Sequence, residues 1–321
     1  MGEEDFPKTT LEFMERLGSE EACRGYLIKV RWPEGFCCAS CGAGKYWVNK
    51  RHVLVCAGCD RQTSLTAGTV MERTHKPLRM WFHAMWWITT QKTGGSAKGL
   101  QRLLGLRSYQ TAWAWLAKLR RAMVRAGREA LEGPVEVDEA YIGGEEPGVR
   151  GRQTFKKARV AVAVEIKDES RLQTGRVRFK VVKDFSARSL TPFVAETVAA
   201  GARVITDGWD GYRLLRKKGF AHEVRDLGGD RKAAVRLLPH VHRAISLLKR
   251  WLEGTHQGAV RPKHLQHYLD EFAFRHNRRK SRHVGKIFYR LVQGAAATGV
   301  TPYWRLVERT EPGTPLHMGG T

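Results

Sequence analysis

Residues 135–144, VEVDEAYIGG, open the part of the chain whose pattern decides the fold. The run is β-prone, and two more strand-like runs follow it, ARVAVAVEIK (158–167) and VRFKVVKDF (177–185). The next segment, SLTPFVAETVAA (189–200), is predicted to be helical and leads to a short strand, RVITDG (203–208). Three leading strands, a helix, a strand and then helices predict an α/β domain with a central mixed sheet.

Further helices are expected in the sequence before and after these strands. Upstream, PLRMWFHAMWWITTQ (77–91) predicts a helix rich in aromatic residues. Downstream, YRLLRKKG (212–219) predicts a short helix, and a long helix starting near His240 carries ISLLKRWLEG (245–254). A last helix is predicted at HLQHYLDEFAFRHNRR (264–279). The helices after the strands complete the α/β arrangement, whereas the helix at 77–91 lies before the expected domain boundary at Gly133-Pro134.

A pair of helices between residues 96 and 127 has the signals of a DNA-binding motif. Ser96 can N-cap the helix AKGLQRLL (97–104), and Gly105 can end it. Ser108 can N-cap a longer, basic helix that is expected to end at Gly127. Two helices joined by a short glycine-containing turn, the second long and basic, predict a helix-turn-helix.

The six cysteines are clustered, with Cys23 upstream and the other five between Cys37 and Cys59. Two CxxC pairs, separated by residues 42–55, can each present two thiolates to one zinc ion. The predicted ligands are Cys38, Cys41, Cys56 and Cys59. Cys37 does not give the two-residue gap, and His52 is the nearest alternative ligand. A cluster of free or redox-active thiols is the competing interpretation. Four protein ligands predict a structural zinc ribbon.

The formal net charge of +24 and the pI near 10.2 indicate a polyanion partner, and nucleic acid is the commonest one. Residues 149–159 carry five Lys or Arg and residues 275–290 carry seven, with no acid in either run. The side chains predicted to contact phosphates are Lys118, Arg121, Arg278, Arg279 and Lys280. Those predicted to read bases, at the start of the second helix, are Ser108, Tyr109 and Gln110. For any single basic run, the alternative is that its charges only form a solvated surface of the protein.

Two aspartates lie in or at the end of β-prone runs. Asp138 interrupts the run at 135–144, and Asp207 ends the run at 203–208. A carboxylate in a core strand is unfavourable unless it binds metal, caps a helix or takes part in chemistry. Two carboxylates from adjacent strands are able to hold two Mg²⁺ ions and activate a nucleophile at a phosphodiester. Glu136, Glu139 and Asp210 are nearby competitors for these roles.

Several ordered motifs resemble bacterial insertion-sequence transposases of the DDE superfamily, in the branch with an N-terminal zinc ribbon. The motifs are GFCCASCG with CAGCDRQTSLTAGT, VEVDEAYIGG, ITDGWDGY, HVHRAISLLKRWLEGTHQG and HLQHYLDEFAFRHNRR. The resemblance covers roughly residues 10–305. It implies an RNase H-like catalytic core, cleavage at transposon ends and strand transfer into target DNA. RNase H-like folds have the element order predicted above, although other sheets share that order.

The resemblance also implies site residues. Its first two acidic positions match Asp138 and Asp207, and a lysine of the pattern matches Lys249. The third acidic position, usually Glu, matches His242, so the sequence departs from the commonest triad. Seven residues turn a helix to within about 20° of its starting direction, so His242, Ser246 and Lys249 share a face. The substitutes for the third role are His240, Glu253 and Glu271. The implied catalytic metals are two Mg²⁺ or Mn²⁺ ions held by Asp138, Asp207 and His242.

The sequence thus predicts a multidomain α/β DDE-type transposase with structural zinc. The predicted parts are an N-terminal helix and zinc ribbon (1–75), a helix-turn-helix-like segment (76–130), the catalytic domain (131–305) and a tail (306–321). A zinc-ribbon transcription regulator and an RNase H-like nuclease without strand transfer are the alternatives. The expected partners are transposon terminal repeats, target DNA and further copies of the chain. No stretch has the apolar length of a membrane helix, and MGEEDFPKTT does not resemble a secretory signal. A cytoplasmic, nucleoid-associated protein is expected.

Overall fold

The computed structural model describes residues 4–125, 127–143, 157–170, 172–226, 233–258 and 260–307. Within these ranges the chain forms two compact units, the first from the residues up to 125 and from 280 to 307 and the second from residues 127 to 279. In chain order the helices are α1 (Thr10–Arg16), α2 (Glu20–Arg31), α3 (Leu78–Thr90), α4 (Ala97–Leu104), α5 (Tyr109–Ala122), α6 (Ala187–Thr197), α7 (Ala233–Leu237), α8 (Pro239–His256), α9 (Leu265–Asn277), α10 (Val284–Ala297) and α11 (Tyr303–Val307). The strands are β1 (Tyr46–Val48), β2 (Leu54–Cys56), β3 (Gln62–Thr63), β4 (Val135–Ile142), β5 (Ala158–Asp168), β6 (Gln173–Val182), β7 (Arg203–Thr206) and β8 (Ala221–Val224).

In the first unit, β1, β2 and β3 form a small antiparallel sheet that carries the cysteine pairs. The predicted caps of the helix pair are confirmed: the Ser96 hydroxyl accepts from the Gly99 amide, and Ser108 accepts from the Thr111 amide. Gly105 ends α4 with φ of 59°, a left-handed conformation that favours glycine. α5 ends at Ala122, earlier than expected.

An aromatic core holds the first unit together. Trp81 of α3 stacks on Trp115 of α5 at a ring separation of 3.9 Å, so Trp115 is a core residue. Phe288 of α10 is fully buried and contacts Phe13, among other rings of the first three helices. Gly294 lets α10 approach α5 closely, because a Cβ there would lie 2.0 Å from the Ala122 carbonyl oxygen. The sequence assigned residues 280–305 to the catalytic domain, whereas α10 packs within the first unit.

The second unit is built on a five-stranded mixed sheet in the order β6-β5-β4-β7-β8. β4, β5 and β6 are antiparallel neighbours, whereas β4, β7 and β8 run parallel. One face packs against α8 and α9, and the other against α6. This arrangement confirms the predicted multidomain α/β class. As expected, three antiparallel strands are followed by a helix and then by a strand parallel to β4. The sequence missed β8, which is short and has no buried apolar run.

Two helical predictions in this unit have different outcomes. The segment 212–219 is not one helix; it holds parts of two 3₁₀ turns, Asp210–Tyr212 and Arg216–Lys218. The helix α9 follows prediction, and its side chains cover the outer edge of β6. The Asn277 side chain accepts a hydrogen bond from the Val177 amide and donates one to the Val177 carbonyl oxygen. Farther along β6, the Gln266 side chain accepts a hydrogen bond from the Val181 amide and donates one to the Phe179 carbonyl oxygen. Such cover keeps an edge strand from pairing with another chain.

Some predicted features fall outside the described residues. These are the tail after residue 307 and most of the basic run 149–159, of which only residues 157–159 are described. Among the helices of the described ranges, none combines the length and apolar character needed to cross a membrane.

Candidate catalytic site and metal-binding cysteines

The four cysteines of the CxxC pairs form one cluster. Their sulfurs all lie within 4.8 Å of one another, with 3.7 Å between Cys38 and Cys59 and 3.5 Å between Cys41 and Cys56. Tetrahedral zinc with bonds of about 2.3 Å places its sulfur ligands about 3.8 Å apart, so the cluster fits a zinc ion. The backbone amides of Cys41 and Ser40 lower the pKa of Cys38 to about 6, whereas the pKa of Cys41 is raised, so this favours the thiolate form of Cys38 alone among these two.

The two competing ligands lie outside this cluster. Cys37 is exposed, and its sulfur is 3.8 Å from the Gly42 carbonyl oxygen. His52 occupies the turn between β1 and β2 with φ of 56°. The CxxC spacing therefore selected the cysteines that the fold brings together.

The two candidate catalytic aspartates extend from neighbouring parallel strands. Glu136 of β4 pairs with Ile205 of β7 in the last register position, and two further residues on each strand bring Asp138 opposite Asp207. Both aspartates are on the face of the sheet that packs against α8, because side chains alternate along a strand. β4 continues to Ile142 while β7 ends at Thr206, so the strands separate at the carboxylates.

His242 of α8 meets this pair from above the sheet. Its Nε2 lies 3.5 Å from Oδ2 of Asp138, and this buried nitrogen has no hydrogen-bond partner among the described residues. Burial lowers the pKa of His242, an effect that Asp207 opposes and Lys249 reinforces. The imidazole is therefore kept in its neutral form, in which one ring nitrogen has a lone pair. Asp207 accepts a bond of 2.9 Å from the Trp209 amide.

Glu136 fixes the position of α8 relative to β4. Its side chain is fully buried, and Oε2 accepts a bond of 2.8 Å from the amide of Val241 in the first turn of α8. Burial raises the pKa of Glu136 to about 7, although the amides of Val241 and His240 act in the opposite direction. A carboxylate at a helix N-terminus satisfies unpaired amides and is favoured by the helix dipole. The competitor Glu136 is thus a capping residue that sets where His242 stands over Asp138.

Glu139 also has a structural contact, on the opposite face of β4. Its Oε2 accepts a hydrogen bond of 2.8 Å from the hydroxyl of Tyr212, which is completely buried. Burial, together with the charges of Glu139, Asp138 and Asp207, raises the pKa of Tyr212 well above its ordinary value. Tyr212 therefore stays a neutral donor beneath the acidic residues. Glu139 belongs to the motif VEVDEAYIGG, but no pattern in the sequence indicates its hydrogen bond with Tyr212.

The alternatives for the third site residue lie in other surroundings. Glu253 is exposed on α8, and the eleven residues that separate it from His242 correspond to about 16 Å along a helix. Glu271 of α9 is buried and paired with Arg275 at 3.1 Å. His240 is buried near the start of α8. Of these candidates, His242 is the one in contact with Asp138, while Lys249 and Ser246 are exposed on the same helix.

The donor chemistry of this group fits a divalent cation, since two carboxylates and a neutral imidazole suit Mn²⁺ and the carboxylates suit Mg²⁺. Asp138, Asp207 and His242 are less tightly assembled than the cysteines. Within the described ranges, the cysteine cluster alone has three or more such ligand atoms all within 4.8 Å of one another.

The helix-turn-helix segment presents part of its predicted DNA-contacting set. Tyr109 is 48% exposed and Gln110 is exposed, at the start of α5. Ser108 caps that helix and donates a bond of 2.8 Å to the Gln110 side chain. Lys118 and Arg121 are half-buried, and burial lowers the pKa of Lys118.

The basic run 275–290 is more engaged within the protein than its composition suggests. Arg279 donates bonds to the backbone of residues 174–175 on β6 and to His276 on α9. Arg278 lies 4.0 Å over the ring of Phe274. In the same run, Arg275, Lys286 and Arg290 form ion pairs. Lys280 is exposed.

Comparison with known proteins gives two family matches. Residues 130–277 match the ISXO2-like transposase domain, and residues 18–62 match the transposase zinc-ribbon domain. The first range contains the carboxylates, His242 and Lys249, and the second contains the four clustered cysteines.

A similar curated protein is an uncharacterised protein in transposable element ISH50 of Halobacterium salinarum. It is 34% identical over 147 residues, which cover 44% of this chain and 47% of that protein. The chain thus matches about half the length of this relative. No solved structure matches the chain.

Proposed function

We propose that this chain, which belongs to the insertion-sequence transposases with a zinc ribbon before an ISXO2-like transposase domain, recognises the ends of a mobile DNA element, cleaves them and transfers strands into target DNA. The observation that carries this proposal is the contact between His242 and Asp138 beside Asp207. A buried imidazole nitrogen that faces a carboxylate and has no hydrogen-bond partner in the described part of the chain is unfavourable unless a ligand completes it.

The proposed catalytic residues are Asp138, Asp207, His242 and Lys249. The two carboxylates and the imidazole would hold Mg²⁺ or Mn²⁺. When bound, two such ions supply activation of the attacking oxygen and stabilisation of the leaving oxygen. Lys249, exposed on the same face of α8, would hold a phosphate of the DNA as a point charge. Glu136 acts as a positioning residue, because it joins α8 to β4.

The cysteine cluster is proposed to hold structural zinc. Four sulfur ligands leave no open position for catalysis, so the metal would serve to fold the ribbon. A three-stranded sheet with strands of only two or three residues has little core of its own, and metal binding supplies folding free energy in such domains.

DNA binding is proposed to use exposed groups of the helix pair and Lys280. Tyr109 and Gln110, which are exposed at the start of α5, would read bases, with Ser108 capping that helix. The bonds of Arg278 and Arg279 within the second unit indicate that these two residues mainly anchor α9. Recognition of two ends favours an assembly of two or more copies, and DNA as substrate favours action in the cytoplasm at the nucleoid.

Cleavage of supercoiled plasmid carrying the element's ends tests the enzyme proposal. We expect nicking that depends on Mg²⁺ or Mn²⁺, and then joining of pre-cut labelled ends to a target plasmid, because the same site would activate water and a DNA hydroxyl. Binding without any nicking would indicate a zinc-ribbon regulator. Nicking without joining would indicate a nuclease, and either result would contradict transposition.

The salt dependence of DNA binding tests the proposed interface. Arg102 and Arg107 are exposed at the turn of the helix pair. Replacing both with Ala is expected to make the slope of log K against log salt shallower, by about 0.9 for each DNA phosphate that these side chains neutralise in the wild type. The control replaces Arg16 and Lys286, which already pair with Asp5 and Glu4.

The control variant removes the same formal charge, so its slope should stay near that of the wild type. Affinity for a labelled duplex is measured by fluorescence anisotropy at several salt concentrations. Equal slopes for the two double variants would place the turn away from the DNA.

A further inference from the structure

A cavity of about 630 Å³ opens on the second unit, on the face of the sheet opposite to the candidate catalytic carboxylates. It borders the α6 face of the sheet, and its walls come from the end of β4, the start of β5, the start of α6 and the 3₁₀ turn after β7. Its size lies within the range of about 300–1,000 Å³ that small-ligand sites occupy. Two of the residues that line it are close in sequence to the carboxylates: Tyr141 lies three residues after Asp138, and Trp209 lies two residues after Asp207.

Aromatic side chains form one wall of this cavity. Trp209 is 37% exposed, and its indole N–H donates a bond of 2.8 Å to the Phe185 carbonyl oxygen, which fixes the ring. The ring of Tyr141 packs edge-on against Phe185 at 5.1 Å. A large aromatic side chain that is held in place and still partly exposed provides a stacking surface for a flat ligand.

Arginines form the other polar wall. Arg159 pairs with Tyr141 across β4 and β5, so both side chains lie on the same face of the sheet. Arg188 is exposed on the first turn of α6. Arg213, a third arginine in the cavity wall, forms an ion pair with Asp210.

The carboxylate of Asp184, in the cavity wall, is hydrogen-bonded to two serines. It accepts bonds from the hydroxyls of Ser186 and Ser189, which, with the Ser186 amide, lower its pKa. Asp210 pairs with Arg213, and Arg159 and Arg188 add two further positive charges to the wall. Guanidinium groups match phosphate geometry, so the wall suits a phosphate.

We propose that this cavity binds an unpaired nucleotide of the DNA substrate, its base stacked on Trp209 and its phosphate held by Arg159 and Arg188. An aromatic platform beside cations is the usual composition of single-strand binding sites. The inference rests on the proposed function, because it names a part of the DNA substrate that the transposase would hold. The cavity would keep a separated strand end apart from its complement.

The test compares two labelled duplexes of the same sequence, one blunt and one with two unpaired nucleotides at an end. Binding of the full-length, zinc-loaded protein is measured by anisotropy without Mg²⁺ or Mn²⁺, so that no cleavage occurs. We expect the wild type to bind the forked duplex about tenfold more tightly, the effect of roughly one stacked base. Trp209→Ala should bind both duplexes equally while keeping the affinity for the blunt duplex.

Two variants and one modified DNA control this result. Trp304→Ala removes another exposed tryptophan, far along the chain in α11, and should keep the tenfold preference. Trp209→Phe keeps an aromatic face and should retain most of it. If Trp209→Ala does not fold, as judged by thermal unfolding, abasic sites at the unpaired positions should abolish the preference of the wild type.

Equal binding of the two duplexes by the wild type, or an unchanged preference in Trp209→Ala, would overturn the inference. A preference that survives with abasic nucleotides would overturn it as well. These outcomes are separate from the proposed catalysis. Metal-dependent cleavage without fork preference would leave the transposase proposal standing, and a fork preference that requires Trp209 without cleavage would leave only the cavity assignment.

Discussion

Asp138→Asn and Asp207→Asn are each expected to reduce metal-dependent DNA cleavage by a factor of about 10³ or more, to background. Each change replaces a carboxylate that is proposed to bind metal with a neutral amide of nearly the same shape. A bound metal contributes several kcal/mol to the stabilisation of the transition state, and about 1.4 kcal/mol corresponds to a tenfold rate change. Affinity for end-containing DNA should change little, because neither residue lies in the ribbon or the helix pair. Cleavage of labelled duplex and a gel shift measure the two properties in parallel.

Glu253→Gln is the matched control for these variants. It also removes a carboxylate, but at an exposed position of α8 about 16 Å farther along the helix than His242. It should cut at the wild-type rate. His242→Ala should lose nearly as much activity as the Asp variants, whereas His242→Glu restores the commoner acidic ligand and should recover part of it. Lys249→Ala should slow cleavage less.

Two results would contradict this assignment. Normal cleavage by both Asp variants would remove the catalytic interpretation of the sheet. An inactive Glu253→Gln together with an active His242→Ala would move the third site residue to the far part of α8, against the contact between His242 and Asp138.

Cys56→Ser is expected to lower the zinc content from one ion per chain to near zero and to unfold the ribbon. Cys56 is completely buried, and its sulfur accepts a bond of 3.3 Å from the Gly58 amide within the cluster. Zinc binding contributes roughly 10–16 kcal/mol in small structural sites, which is more than the entire stability of most domains. The second unit should melt unchanged, since it has its own core on both sheet faces.

Cys37→Ser is the matched control, because Cys37 lies beside the cluster and outside it. It should keep one zinc ion per chain. Metal analysis of purified protein and protease sensitivity of the ribbon measure the two effects. Fully reduced, folded wild-type protein without zinc, or equal zinc loss in the two variants, would contradict the structural zinc site.

The elements that the sequence predicted well depend on short-range geometry. The CxxC spacing decided which cysteines meet, since each turn brings two sulfurs together within four residues. Ser96, Gly105 and Ser108 mark helix ends because their caps bond groups within a few residues. Helical periodicity likewise placed His242 and Lys249 on one face. Such patterns act through bonds and angles along one stretch of chain.

Other features depend on which distant groups meet, and only the tertiary structure decided them. Glu136 caps α8 through an amide 105 positions away, a role that its place in a β-prone run does not indicate. Arg279 belongs to a basic run in sequence, yet it bonds the backbone of β6 104 residues earlier. Phe288 and Gly294 fit α10 into the first unit, although the chain reaches them after the sheet.

The sequence by itself therefore determined which four cysteines cluster, most of the order of strands and helices in the second unit, and the two aspartates in or just after strands. The tertiary structure decided which of the nearby acids are capping or bonded groups, which arginines are engaged, and where the C-terminal helix packs. The physical reason is that periodicity and spacing record local backbone geometry. A buried carboxylate or arginine gains its role from a partner whose position depends on the packing of the whole unit.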